Sequence, residues 1–392
     1  MDIEALKERV EAEVDRRSPE LIDVSHRIHA RPELLFEEHH AAALLCDALE
    51  GAGLTVERGI CDLATAFSAR AGGGNGPTIA VLLEYDALPG IGHACGHNII
   101  AAAGLGTGLA AASVADEVGG RLLVLGTPAE EGGGGKVLMA DRGAFDHVDA
   151  AMMVHPAHFD LEEMSSLAIS THEITYRGRA AHAAAFPWEG RNALDAAVLG
   201  YTAVAALRQH IRPSERVHGV FTIGGDKPNI VPELAVAQWY VRAATIDALA
   251  PLEARVLAAL EAGAAAAGCT MEHRSLAPTY ADVRTNAPMA ALYTLNAARS
   301  GRTVLPSTPE TSVVASTDMG NISYRVPSIH PLIKVPTDDT LIHTAGFARW
   351  AAAPEGDRAV VDGAKAMATT VLDLWARPEC LAEAREAFDS GP

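Results

Sequence analysis

Between residues 78 and 156 the chain alternates between short apolar runs and segments with helical spacing. Three runs, at 78–83, 121–125 and 150–154, have the length and composition of buried strands. Of the segments between them, 101–114 is alanine-rich and is interrupted by glycines, which predicts a buried helix packed closely on a sheet. Strands that alternate with helices predict a mostly parallel sheet with helices on its faces.

A different pattern begins near residue 165 and indicates a second domain. In chain order the predicted elements are a strand at 168–176, a helix at 192–209, strands at 217–223 and 234–242, a helix at 252–267 and a strand at 269–275. This order is that of the ferredoxin-like split βαβ unit. We therefore predict an α/β domain formed by residues 1–166 and 280–392, interrupted by a smaller α+β domain at 167–279.

Helical patterns also occupy both ends of the chain. Two charged helices are predicted at 2–17 and 19–30, with Pro19 near the start of the second, and a helix at about 357–377 is expected to be the last element. The first helix lacks the apolar core of a signal peptide, and 101–114 is shorter than a membrane-spanning helix. We therefore expect no membrane association.

Length, charge and cysteine content narrow the class of protein. At 392 residues the chain is too long for one ordinary core. The formal net charge of −19 argues against a nucleic-acid partner, because phosphate binding needs a basic surface. The five cysteines are scattered and odd in number, which is typical of a reducing compartment rather than of a disulfide framework. These features predict a cytoplasmic protein.

Side chains that bind metals follow the ends of the three apolar runs. Cys95 and His97 come after the first run, Glu130 and Glu131 after the second, and His155 ends the third. The carboxyl ends of parallel strands form the edge of the sheet at which ligands bind. Because thiolate, imidazole and carboxylate are ligands of zinc and similar metals, the pattern predicts a metal site.

The adjacent acids Glu130 and Glu131 suggest a division of labour. Two buried neighbouring carboxylates repel each other, so one is expected to bind metal while the other takes a proton from a water that the metal activates. Asp86 leaves the first apolar run and can either bind metal or orient a ligating histidine. We favour the second role.

Taken together, these residues resemble the co-catalytic metallopeptidase family that includes aminoacylases, glutamate-releasing carboxypeptidases and dipeptidases. The likeness is greatest to its amidohydrolase branch, in the group of p-aminobenzoyl-glutamate hydrolase and β-alanyl-lysine dipeptidase. It runs nearly end to end, through residues 28–34, 84–89, 93–98, 126–131, 154–156, 178–183, 190–193, 316–321 and His343. Asn98 and the triplet Glu84-Tyr85-Asp86 match this group better than they match the hippurate and auxin-conjugate hydrolases of the same branch.

The resemblance implies a catalytic α/β domain and an inserted lid domain that pairs two subunits into a homodimer. It also implies a centre of two divalent metal ions (zinc, manganese or cobalt), with Cys95 as a bridge. The implied ligands are Cys95, His97, Glu131, His155 and His343.

The same resemblance assigns roles to residues outside the ligand set. Glu130 would be the general base and later the proton donor to the leaving amine. His182 would reach into the partner's active site and stabilise the oxyanion, while Asn229 and Arg242 would bind the carbonyl or carboxylate of the substrate. Asp318 and His330 belong to the same pattern; their chemistry alone assigns them no role, and a place in the pocket is the hypothesis for both.

We therefore predict a metal-dependent amidohydrolase that cleaves an N-acyl amino acid, a dipeptide or an aminobenzoyl-glutamate-like amide. Two alternatives stay open. In one, Cys95 is a nucleophile with His97 as its base and no metal is needed. In the other, the chain is a non-catalytic, metal-stabilised dimeric binding protein, although such a protein has no need of a proton shuttle.

Overall fold

The chain folds into two compact units in the computed structural model, which describes residues 1–308 and 314–391. The larger unit consists of Met1–Ser165 and Val283–Pro392, and the smaller unit is Ser166–Asp282. The two ends of the chain therefore build one unit, and the segment between them builds the other.

The larger unit contains a sheet with helices packed on it. Its strands are β1 (Thr55–Arg58), β2 (Phe67–Ala71), β3 (Thr78–Leu83), β4 (Arg121–Gly126), β5 (Ala150–Met152), β6 (His155–Ala157), β12 (Val314–Ala315), β13 (Ser328–Ile329) and β14 (Leu332–Lys334), and β7 (Ser165–Ser166) lies at the boundary of the two units. Its helices are α1 (Ile3–Ala30), α2 (His39–Gly51), α3 (His97–Val118), α4 (Gly135–Asp141), α7 (Ala287–Arg299), α8 (Met319–Ser323), α9 (Ala345–Trp350), α10 (Pro354–Ala376) and α11 (Pro378–Ser390).

The main sheet of the larger unit has the strand order β1-β2-β4-β3-β5-β13. At its centre β3 pairs in parallel with β4 and β5, and β13 pairs in parallel with β5. At one edge β2 and β1 run antiparallel to their neighbours. The predicted sheet with flanking helices is confirmed, and the antiparallel edge is an addition that the hydrophobic pattern did not predict.

Helix α3 is the central helix of the larger unit. It contacts α1, α10, β3 and β4, and every residue from His97 to Ala111 is buried. The predicted buried helix is confirmed, but its predicted length was wrong: α3 is long and apolar enough to cross a membrane, and 89% of that apolar stretch is buried inside the fold. Such packing leaves little space, since a Cβ on Gly106 would lie 2.6 Å from Leu21 Cδ1 and 2.9 Å from Ala364 Cβ.

Two predictions for the ends of the chain were wrong. Residues 3–30 form a single helix with Pro19 inside it. Because Val14 and Leu21 are both fully buried, apolar packing continues past Pro19 and stabilises the helix despite the hydrogen bond that proline removes. At the other end, α10 is followed by α11, which begins at Pro378, a residue that suits the first turn of a helix.

The smaller unit is an antiparallel sheet that shares one core with two helices. In chain order its elements are β8 (Ala168–Arg177), α5 (Ala193–Leu207), β9 (Arg216–Ile223), β10 (Leu234–Ala243), α6 (Ile246–Ala267) and β11 (Thr270–Ser275). The strand order is β11-β8-β10-β9, so β9 and β11 are the edges. Tyr176, Trp239 and Val256 lie in the core between sheet and helices, and the Tyr176 hydroxyl donates to the Leu260 carbonyl at 3.1 Å.

Replacing Gly106 with leucine should destabilise the larger unit, because the added side chain has no space between α1 and α10. Overpacking of this kind costs roughly 1–3 kcal/mol or more. Chemical denaturation would measure it as a lower free energy of unfolding. Ser113→Leu puts the same side chain at an exposed position of α3 and is the matched control; equal stabilities of the two variants would contradict the packing.

Candidate metal centre

Four segments of the larger unit meet at the carboxyl ends of its parallel strands. Asp86 follows β3, Cys95 precedes α3, Glu131 follows β4 and His155 follows β5. Loops at this edge of a parallel sheet are held by rigid elements, which is why ligands and substrates bind there.

Asp86 holds two of the predicted functional segments. Its Oδ1 lies 3.0 Å from Nδ1 of His97, and its Oδ2 accepts a hydrogen bond of 2.9 Å from the backbone N–H of Glu131. With Nδ1 so engaged, the Nε2 of His97 lies 3.8 Å from Glu131 Oε1. A histidine whose second nitrogen bonds a carboxylate has a fixed ring orientation, as metal-ligating histidines usually do.

The turn before α3 depends on a glycine. Gly96 has a φ of +80°, and a Cβ at this position would lie 2.6 Å from Cγ of Pro156. This close approach brings Cys95 beside His155, whose Nε2 lies 3.4 Å from the Cys95 Sγ. The other nitrogen of His155 bonds the Pro156 carbonyl at 2.8 Å, so the ring cannot turn away from the thiol without losing that bond.

His343 joins the same neighbourhood from a segment distant in sequence. Its backbone N–H donates to the carbonyl of Ala94 at 2.8 Å, and its Nε2 lies 3.5 Å from Glu131 Oε1. Its φ is +62°, a left-handed conformation that is uncommon for histidine. Such a conformation persists only where surrounding contacts hold it.

The five residues predicted as ligands form two overlapping groups. Cys95, His97 and His155 make one, and Cys95, Glu131 and His343 make the other; in each group the donor atoms lie within 4.8 Å of one another. Nε2 of His97 and Oε1 of Glu131 are buried without a hydrogen-bond partner among the described residues. Buried polar atoms are normally paired, and this mixture of sulfur, nitrogen and oxygen donors suits zinc and related metals. The residues therefore fit a metal centre.

Burial and neighbouring charged groups shift the pKa values of these residues. Burial and the Glu131 carboxylate raise the pKa of the Cys95 thiol well above its usual value. Burial alone would lower the pKa of His97, but Cys95 and Asp86 raise it well above its usual value. Burial also raises the pKa of Glu131. These groups tend to hold protons that a bound cation would replace.

Glu130 lies beside the ligand pair on a strained loop. The preceding residue, Ala129, has a φ of +58°, and its N–H donates at 2.9 Å to the fully buried carboxylate of Glu38. Burial and the neighbouring carboxylates of Glu84 and Glu131 raise the pKa of Glu130 well above its usual value. These surroundings favour the protonated form of the Glu130 carboxyl group.

Behind these residues lies a buried ion cluster that sequence reasoning missed as a unit. The Nζ of Lys136 lies 2.5 Å from Glu84 Oε1 and 2.6 Å from Asp318 Oδ1, and all three side chains are fully buried. A lysine after a glycine run has the appearance of a surface residue. Met139 and Ala140, three and four positions further along α4, are buried with it, and this helical spacing was the signal for a buried Lys136.

His330 belongs to the same neighbourhood. Its ring centroid lies 5.4 Å from that of His155 in an edge-on arrangement. Both of its ring nitrogens are buried and lack a hydrogen-bond partner in the described part of the chain. Burial and the nearby His155 lower the pKa of His330 to about 3, so its ring is neutral.

Three of the predicted functional residues, His182, Asn229 and Arg242, belong to the smaller unit. His182 is exposed, and its Nδ1 accepts a hydrogen bond of 3.1 Å from the backbone N–H of Ala185. The N–H of Ala183 donates to the carbonyl of Asn229 at 3.0 Å, which places the loops of His182 and Asn229 side by side. Arg242 is half-buried on β10.

The sequence also matches a known family. The model of Peptidase family M20/M25/M40 matches residues 81–373, a range that includes all ten residues predicted to form the site. The chain belongs to this family. Like the named hydrolases of family M20, it is a metal-dependent hydrolase that acts on amide bonds.

Relatives of this M20 peptidase include enzymes with named substrates. The chain is 38% identical to the Xaa-Arg dipeptidase of Mus musculus, over 99% of its own length and 93% of the relative's. It is 37% identical to one of the polypeptides of the p-aminobenzoyl-glutamate hydrolase of Escherichia coli, over 64% of its own length and 56% of the relative's.

Solved structures show the same fold at low sequence identity. An aminobenzoyl-glutamate utilization protein from Klebsiella pneumoniae superposes with a TM-score of 0.77 at 20% identity, over 94% of this M20 peptidase and 99% of that chain. A dinuclear metal-binding M20 peptidase from Bacillus subtilis superposes with a TM-score of 0.71 at 19% identity, over 93% and 99% of the two chains.

Asp86→Ala should weaken metal binding by this M20 peptidase, because His97 loses the partner that fixes its ring and the Glu131 loop loses an acceptor. Removing such a partner typically costs about 10–100-fold in metal affinity. Competition between the protein and a chelator for zinc would measure the loss. Asp47→Ala removes a carboxylate that is 72% exposed and serves as the control; an unchanged affinity in Asp86→Ala would contradict the orienting role.

Proposed function

We propose that this M20 peptidase hydrolyses a small amide and releases an amino acid. Dipeptides are the first substrate class to test. The proposal is supported by the near full-length similarity to a relative named Xaa-Arg dipeptidase. The partial similarity to a p-aminobenzoyl-glutamate hydrolase supports an aminobenzoyl-glutamate-like amide as the next class. N-acyl amino acids are the third class, since the chain is also similar, at 27% identity, to an N-acetyl-L-cysteine deacetylase from Bacillus subtilis.

We further propose a centre of two divalent ions (zinc, manganese or cobalt) held by Cys95, His97, Glu131, His155 and His343. The two overlapping donor groups share Cys95, as a bridging ligand would require. The ligand set alone does not identify the metal, because divalent metals follow nearly the same order of affinity at most sites with nitrogen, oxygen and sulfur ligands. When bound, such ions polarise the scissile carbonyl and make water a stronger nucleophile at neutral pH.

Glu130 is proposed as the residue that moves the proton. Its Oε2 lies 3.9 Å from Nε2 of His97, and it forms a donor group with His97 and Glu84 but not with Cys95. Its raised pKa suits a group that takes a proton from water and later gives it to the leaving amine. Asp86 would keep His97 and the Glu131 loop in place during this transfer.

Cys95 as a metal-independent nucleophile has less support. A nucleophilic cysteine needs a lowered pKa, since the thiolate is the reactive form. Burial instead raises the pKa of Cys95. A purely binding function has no use for Glu130 beside the ligands.

Glu130→Gln tests the function directly. Chelator-treated protein would be resupplied separately with zinc, manganese or cobalt and assayed on Xaa-Arg and β-alanyl dipeptides, p-aminobenzoyl-glutamate and N-acyl amino acids. We expect metal-restored hydrolysis, with kcat lowered roughly 10²–10⁴-fold in Glu130→Gln, because a general base contributes about that much.

The control is zinc affinity, which should differ little between wild type and Glu130→Gln. Hydrolysis that persists in chelator would overturn the metal mechanism in favour of Cys95 as nucleophile. Zinc binding without hydrolysis of any substrate class would favour a binding protein.

We also propose that residues 167–279 are a ferredoxin-like lid domain that pairs two copies of the chain. The edge strand β9 presents Val220, Phe221 and Ile223 to solvent, exposed by 60%, 38% and 43%. The ring of Phe221 lies 5.8 Å from that of Tyr201 on α5, where Leu199 is also exposed. An unpaired edge strand beside exposed apolar side chains is suited to pair with a second copy, which would extend the sheet and cover the apolar surface.

The roles of His182, Asn229 and Arg242 follow from the same proposal. His182 would act in the partner's active site, and Asn229 and Arg242 would bind the carbonyl or carboxylate of the substrate. In support, His182 is exposed on a loop hydrogen-bonded to that of Asn229, within the domain proposed to form the dimer.

Val220→Lys combined with Leu199→Lys should convert the dimer to a monomer, because charges on the edge strand and helix oppose pairing. Sedimentation equilibrium should give twice 41.0 kDa for the wild type and 41.0 kDa for the variant. Leu295→Lys changes a leucine of the larger unit that is 69% exposed and should stay dimeric. A wild-type monomer at assay concentrations would refute the lid dimer.

A further inference from the structure

We infer that Glu84, Lys136 and Asp318 form a buried ion triad that supports the His97 side of the metal centre and the proton-carrying loop at Glu130. This inference rests on the proposed function of those two residues. It gives Lys136 and Glu84 a positioning role that neither the strand-end pattern nor the ligand set assigns.

In the triad Lys136 pairs with both carboxylates, and all three side chains are fully buried. Lys136 Nζ makes ion pairs of 2.5 Å with Glu84 and 2.6 Å with Asp318, and the backbone N–H of Lys136 donates to the second oxygen of Asp318 at 2.9 Å. Asp318 thus holds both the side chain and the backbone of Lys136 at the start of α4. Three glycines separate Glu131 from the start of α4 at Gly135, so the contacts of Asp318 with Lys136 fix the end of the loop that carries Glu130 and Glu131.

Glu84 connects the triad to His97. Lys136 pairs with one oxygen of Glu84, and the other oxygen lies 3.5 Å from Nε2 of His97. Glu130 Oε2 lies 3.9 Å from the same nitrogen, and donor atoms of Glu84, His97 and Glu130 all lie within 4.8 Å of one another. Asp86 contacts His97 on the opposite side of the ring, at Nδ1.

The Lys136 ammonium offsets the repulsion among buried carboxylates. Glu84, Asp318 and Glu130 are buried close together, and buried carboxylates repel unless a cation lies among them. A bound metal can compensate the groups on the His97 side. Lys136 lies against the other oxygen of Glu84, at 2.5 Å, and supplies a positive charge between Glu84 and Asp318.

A second buried lysine in the same unit provides a matched control. Lys7 Nζ lies 2.6 Å from Asp373 and 2.8 Å from the Asn296 side-chain oxygen, in a pair that is 8% and 2% exposed. It links α1, α7 and α10, and none of these helices carries a predicted metal ligand. Loss of Lys7 should therefore affect stability and leave the site intact.

The experiment compares Lys136→Met, Glu84→Gln and Lys7→Met with the wild type. Zinc affinity of the metal-free protein is measured by chelator competition, together with thermal stability, kcat and KM. We expect zinc to bind about 10–100-fold more weakly to Lys136→Met and Glu84→Gln, the usual loss when the support of a metal ligand is removed. We expect kcat to fall by a similar factor with KM nearly unchanged, and Lys7→Met to lose stability alone.

The sign of the Lys136→Met effect separates two roles. If Lys136 were only a positive charge near the metal, its removal would tighten zinc binding, and that result would overturn the inference. Wild-type affinity in Glu84→Gln would overturn it as well. Glu84→Gln keeps the pair of Lys136 and Asp318, so it tests the role even if Lys136→Met fails to fold.

The double variant Glu84→Gln/Lys136→Met asks whether the two residues act together. We expect it to bind zinc no more weakly than the worse single variant, because both changes remove the same support; fully multiplicative losses would contradict this. Since zinc affinity is measured without substrate, these results stand even if no amide tested is hydrolysed. A failure of the proposed function is therefore distinguishable from a failure of the triad.

Discussion

The hydrogen bond between Asp86 and His97 is the interaction on which the candidate site depends. One carboxylate links the segment after β3, the first turn of α3 and the loop after β4, because its two oxygens bond His97 and the N–H of Glu131. Burial would by itself raise the pKa of Asp86, but His97 and the N–H of Glu131 lower it. The buried charge is therefore stable only while its partners stay in place, so the geometry of the ligands and the ionisation of Asp86 support each other.

The scaffold behind this bond is rigid for reasons of packing. Helix α3 is enclosed by α1, α10 and the sheet, and Gly106 lets α1 and α10 approach it closely. His97 begins that helix, so the ring is carried by one of the most completely buried elements of the unit. Sites built on buried helices and strand ends hold their geometry better than sites on exposed loops.

The sequence predicts what depends on local pattern. Apolar runs mark the buried strands, so Cys95, His97, Glu131 and His155 could be predicted because they come at or after the ends of those runs. His343 could be found only through the family resemblance, because its position depends on a left-handed backbone and a bond to Ala94. The pairing of Lys136 with Asp318 joins residues 182 positions apart, and no local pattern encodes it.

The pKa values of two neighbouring carboxyl groups, Glu84 and Glu130, shift in opposite directions, so the two acids are suited to different roles. Burial would raise the pKa of Glu84, but the Lys136 ammonium and His97 lower it to about 2, so Glu84 is a permanent anion. Glu130 is also buried, and it has like-charged neighbours, which raise its pKa well above its usual value. Environments that move the pKa values of paired acids apart assign the proton-carrying role to one of them. The Lys136 ammonium lies next to Glu84, whereas Glu130 is surrounded by the carboxylates of Glu84, Glu131 and Asp318, and this difference in neighbours separates the two acids.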